Sequence, residues 1–106
     1  MTTYQLTVGD RLVPLRKQLV DRDGNPVDLT GSTVAFRMVN AAGTVKINNA
    51  AAVIESAATG EVRYDWAAGD VDTAGEFWGW FIRTQGGKTE HYPSGASFAV
   101  LIHPAT

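Results

Sequence analysis

Glu61-Val62-Arg63-Tyr64-Asp65-Trp66 alternates strictly, with Val62, Tyr64 and Trp66 on one side and three charged residues on the other. A period of two places one apolar face on a core and one polar face in water, which is the pattern of a half-buried β-strand. Downstream, Glu76-Phe77-Trp78-Gly79-Trp80-Phe81-Ile82-Arg83-Thr84 leads through Gln85-Gly86-Gly87 into Lys88-Thr89-Glu90-His91-Tyr92, a predicted hairpin. Upstream, Val34, Phe36 and Met38 share one face, and Tyr4, Leu6 and Val8 alternate ahead of Gly9-Asp10. Leu15 and Leu19 lead into the turn residues Asp23-Gly24-Asn25-Pro26, and Phe98, Val100 and Ile102 close the chain as a last strand. The stretch from Thr44 to Gly60 is compatible with a short helix starting at Asn49, but eleven residues make a marginal helix. Two short strands are expected there. Seven to nine short strands with turns every 8–12 residues predict an all-β antiparallel β-sandwich.

The chain has 106 residues, room for one domain spanning 1–106, with no internal repeat or linker. Hydrophobic residues make up 44% and charged residues 19%, an ordinary globular balance. Nine Lys and Arg against eleven Asp and Glu give a net charge of −2, which argues against nucleic acid or an anionic membrane as partner. The absence of cysteine removes disulfides, thiolate metal sites and thiol nucleophiles together. Neither a signal peptide nor an 18-residue apolar run is present, so a soluble product made in the cytoplasm is expected.

Catalytic signals fail one by one. His91 and His103 sit in no metal or triad spacing, and solvent-facing strand positions account for both. Gly87-Lys88-Thr89 echoes the end of a phosphate-binding loop, but that motif needs glycine where Ile82 stands. Gly95-Ala96-Ser97-Phe98-Ala99 lacks the final glycine of a nucleophile elbow, which leaves Ser97 as a strand residue. The acids of Asp21-Arg22-Asp23-Gly24-Asn25 begin like a calcium loop, yet Gly24 comes too early and Ser32 replaces the closing glutamate. Asp70 and Asp72 could bind a cation or form an acid–base pair, but turn hydrogen bonding is the simpler role. No catalytic, cofactor-binding or metal-ligating residue is therefore expected.

The unusual segment is Phe77 to Thr84, because both its faces are apolar. Either it is a central strand covered on both sides, for instance by the segment carrying Tyr4 and Leu6, or one side is an aromatic patch covered by a partner. The last strand is similarly double, with Ala99 and Leu101 opposite Phe98, Val100 and Ile102. Lys17 falls in phase with Leu15 and Leu19, which suggests an edge strand protected by charge.

The order Gly9-Asp10, Pro14-Leu15, Asp23 to Gly31, Val34 to Met38, Gly60 to Trp66, Asp70 to Phe77, Gly87-Lys88 and Tyr92-Pro93, followed by the final apolar strand, resembles small bacteriophage tail and baseplate domains. The likeness is to the N-terminal domain of the baseplate upper protein family, and it spans nearly the whole chain. It implies an immunoglobulin-like sandwich and a structural role in the virion, with no catalytic residues to carry over. The family pattern turns Phe77 and Phe81 inward, leaving Trp78, Trp80 and Ile82 on the outer face. Phe77 stands where such sandwiches often carry a corner tyrosine, and it lacks the hydroxyl for that bond.

The expected function is a non-enzymatic adaptor or decoration domain of a phage tail or baseplate, held by other virion proteins in symmetric copies. Trp78, Trp80, Ile82, Leu101 and Tyr92 are the candidate interaction residues. A head decoration or fibre protein is a variant of that reading. A carbohydrate-binding module, with Trp78, Trp80 and Tyr92 stacked on sugars, is the alternative from another class.

Overall fold

The computed structural model describes residues 3–92 and 98–104. Among them, nine strands form two sheets: β1 (Thr3–Thr7), β2 (Leu15–Gln18), β3 (Thr33–Asn40), β4 (Val45–Ala51), β5 (Val53–Ser56), β6 (Glu61–Tyr64), β7 (Gly75–Gln85), β8 (Lys88–Tyr92) and β9 (Phe98–His103). The larger sheet runs β1-β9-β7-β3-β4, and β8 adds to β7 beyond the end of β9; the smaller sheet runs β2-β6-β5. The eleven-residue β7 is long enough for both neighbours on one edge, pairing Gly75–Gly79 with β9 and Phe81–Gln85 with β8. This is the all-β, immunoglobulin-like sandwich expected. One pair departs from the antiparallel expectation, because β1 lies parallel to β9, Tyr4 opposite Val100 and Leu6 opposite Ile102.

The alternating faces meet between the sheets. Val34, Phe36 and Met38 from β3, Val62 and Tyr64 from β6, and Phe98, Val100 and Ile102 from β9 are all buried. Phe36 is the hub: its ring centroid lies 4.8 Å from Tyr64, 5.1 Å from Phe81 and 6.0 Å from both Trp66 and Phe98. Gly79 makes this crowding possible, since a Cβ there would stand 3.0 Å from the Phe36 ring and 3.2 Å from Phe98.

The segment after Thr44 forms strands, as expected, and passes from one sheet to the other. Between β4 and β5, Ala52 donates its N–H to the Val34 carbonyl and so extends the β3–β4 pairing up to the point where the chain crosses to the smaller sheet. The chain from Asp21 to Asn25 is a turn, with Asp21 Oδ1 accepting the N–H of both Asp23 and Asn25. Val27 and Leu29 then return to the core. Leu19, Val27 and Gly60 meet where the Leu19 N–H donates to the Gly60 carbonyl at 2.7 Å. Gly60 has φ +75, and a Cβ on it would lie 2.7 Å from two backbone oxygens, so glycine is required. On the edge strand β2, Lys17 sets its Nζ 5.5 Å above the Phe98 ring, keeping a charge in phase with Leu15 and Leu19.

Candidate interaction surface

Parity along β7 decides which aromatic residues a partner could reach. Phe77, Gly79 and Phe81 face the core, and the alternation sends Trp78, Trp80, Ile82 and Thr84 to the other side of the larger sheet. The register across the sheet extends that face. Trp78 lies between Val39 and Ala99, Trp80 is opposite Arg37, and Ile82 lies between Ala35 and His91. Leu101 is opposite Glu76 on one side and Gln5 on the other. Trp78, Trp80 and Leu101 are half-buried, whereas Ile82, at 9% exposure, is largely covered. Tyr4 and Leu6 pack against the inner cluster, so the N-terminal strand extends the sheet and does not cover the tryptophans.

Tyr92 does not belong to this surface. It stands opposite Phe81, shares its inward face and is only 3% exposed. The sequence reading placed Tyr92 with the tryptophans, but the hairpin register turns it the other way.

Polar groups frame the apolar centre. Between the pairs Phe36–Ala50 and Met38–Ile47, β4 carries an extra residue, a β-bulge in which Asn49 adopts φ 52. The bulge brings two amides opposite Arg37, whose Nη1 donates to Asn48 Oδ1 at 2.8 Å and to Asn49 Oδ1 at 3.5 Å. His91 lies 6.4 Å from Trp80, ring centre to ring centre, and His103 Nε2 is 3.2 Å from Gln5 Oε1 at the opposite edge. Trp80 Nε1 is buried and has no hydrogen-bond partner among the described residues.

The candidate acids take structural roles. Asp70 Oδ2 accepts the Tyr64 hydroxyl at 2.6 Å and the Ala67 N–H at 2.7 Å, fixing the corner between β6 and β7. Burial, reinforced by the hydrogen bond to Asp70, pushes the Tyr64 hydroxyl well above the usual phenol range. Asp72 pairs with Lys46 and Thr73, and the Lys46 ammonium holds its carboxyl below the ordinary value. Among the described residues, no group of three or more His, Asp or Glu side chains could hold a metal ion. Ser97 and the rest of Pro93–Ser97 lie outside the described residues.

A second surface escaped the sequence reading. The β1–β2 loop exposes Leu12 (96%) and Val13 (69%), which form part of the wall of a cleft of about 500 Å³ shared with Tyr4, Leu6, Leu15 and Trp66. Two adjacent apolar residues ahead of a proline read as ordinary loop; their exposure depends on how Gly9 and Asp10 turn the chain.

No protein-family model matches this chain, and no curated protein matches it. Among solved structures, the N-terminal domain of phage TP901-1 ORF48 is similar, with a TM-score of 0.70 and 17% sequence identity. The match covers 96% of this chain and 85% of the other. At that identity the likeness establishes a shared fold.

Proposed function

We propose that this chain is a non-enzymatic structural domain of a bacteriophage virion, an adaptor or decoration module of the tail or baseplate that works through protein contacts. The observation that carries the reading is the near-full-length superposition on a phage domain at TM-score 0.70. The sequence resemblance to baseplate upper protein domains points the same way. The contact surface is the outer face of the larger sheet, with Trp78, Trp80, Ile82 and Leu101 at its centre. Half-buried tryptophans framed by Arg37, Asn48 and His91 supply an aromatic centre with a polar rim, the composition of a protein interface.

The carbohydrate reading is weaker on this geometry. Tyr92 is turned into the core, and the buried Trp80 Nε1 is not available to a sugar hydroxyl. Mass spectrometry of purified particles from cells producing the chain tests the proposal. It should find the chain at a fixed ratio to the other tail proteins, and a screen of the isolated protein against glycans should give no specific signal. Absence from purified particles, or a saturable glycan signal lost in Trp78→Ala, overturns it.

A further inference from the structure

Arg37 differs from the other strand arginines in how its guanidinium is used. Arg16 and Arg63 give Nε to carboxylates, and Arg83 gives Nε to the Ser32 hydroxyl at 2.9 Å. In Arg63 the edge made by Nε and Nη2 grips both oxygens of Asp65, at 2.9 Å and 3.2 Å. Arg37 is held from the other end. Its Nη1 donates to the amide oxygens of Asn48 and Asn49. Among the described residues, its Nε and Nη2 have no acceptor and no carboxylate lies within ion-pair distance. Asn49 reaches Arg37 from the β4 bulge and is the one non-glycine residue with positive φ among those described. The chain thus accepts a local backbone cost at the point that fixes this side chain. Two neutral amides orient the cation without balancing its charge, half-buried and opposite Trp80 on the outer face of the larger sheet.

We propose that the protein docking on this face presents an aspartate or glutamate side chain, which takes the Nε–Nη2 edge of Arg37 in a bidentate contact beside Trp78 and Trp80. This rests on the virion role proposed above and names the chemistry of the partner that covers the tryptophans. Docking strips water from a guanidinium that its own chain leaves without a counter-charge, and an acid on the partner offsets that cost. A second copy is the poorer match. By register and parity the face offers Arg37, His91 and His103 against Glu76 alone among the described acids, so two such faces bring mainly like groups together.

Particles assembled with variants of the full chain, quantified by mass spectrometry, test the inference. Arg37→Gln should keep the wild-type circular dichroism and fall about tenfold or more in its ratio to the other tail proteins. Arg22→Gln, which removes an equal charge from an exposed turn, should enter at the wild-type ratio. Zero-length carbodiimide coupling in particles carrying Arg37→Lys should join the introduced amine to an aspartate or glutamate of another tail protein, a readout that does not depend on how well Arg37→Gln folds. Wild type present in particles with folded Arg37→Gln incorporated equally overturns this inference and leaves the virion role standing. So does an equal fall in Arg22→Gln, coupling of position 37 to Glu76 of a second copy, or no coupling there at all. Absence of the wild-type chain from particles overturns both.

Discussion

Tyr64 of β6 donates its hydroxyl hydrogen to Asp70 Oδ2, 2.6 Å away, across the corner that leads into β7. This bond ties a loop to the core in a sandwich that has Phe77 where a corner tyrosine often stands, and it starts from the preceding strand. Because Asp70 also accepts the Ala67 N–H, one carboxylate holds both the core ring and the loop backbone.

Tyr64→Phe keeps the ring against Phe36 and removes only the hydroxyl. It should lower stability by about 1.5–3 kcal/mol, the usual scale for a hydrogen bond to a charged acceptor. Urea unfolding with an unchanged slope and a lower midpoint is the expected result.

The two ends of the pH range should respond to different groups. The Tyr64 hydroxyl titrates above its unfolded value, so its contribution is fully present below about pH 10 and is lost as pH rises from there toward the folded value. Asp72, held low by Lys46, and Asp28, held low by the Thr30 hydroxyl and N–H, behave in the opposite sense. Their contribution is present above about pH 4 and is lost as pH falls through the depressed values. Thermal melts across the range should show a shallower acid decline in Asp72→Asn and a shallower alkaline decline in Tyr64→Phe.

Two glycine substitutions should differ in severity. At Gly79 an added methyl meets the edges of the Phe36 and Phe98 rings, which can shift slightly, so Gly79→Ala should cost about 1–3 kcal/mol. At Gly60 it meets the backbone oxygens of Leu19 and Val27 at a residue with positive φ, and neither can give way cheaply. Gly60→Ala should cost more, and comparison of melting temperatures checks the order.

Much of the fold is legible because alternation needs no knowledge of partners. Val62, Tyr64 and Trp66 are buried together, as are Phe98, Val100 and Ile102, as their spacing requires. Phe77 and Phe81 likewise face inward, as the family resemblance implied. What alternation cannot supply is pairing. The parallel placement of β1 beside β9 joins the two ends of the chain, and nothing local to Tyr4 or Leu6 encodes its direction. Tyr92 was misassigned for the same reason, because its face follows from the register of Phe81 across the hairpin. The exposure of Leu12 depends on a brace of three hydrogen bonds around Gly9 and Asp10 that is invisible as a hydrophobic pattern.

The outer face of the larger sheet is the centre of the account, and the Trp78→Ala, Trp80→Ala double variant tests it most directly. Both side chains are half-buried on the far side of the sheet from the core, so removing them should preserve a cooperative melt. Aromatic anchors of an interface cost on the order of 2 kcal/mol or more each when truncated. Particles assembled with the variant, quantified by mass spectrometry beside a thermal melt of the free chain, should therefore lack it while the free chain remains folded. A collapsed melting transition, as expected from losing about 3–5 kcal/mol at each of two core tryptophans, would contradict the account. So would a folded variant incorporated at the wild-type ratio.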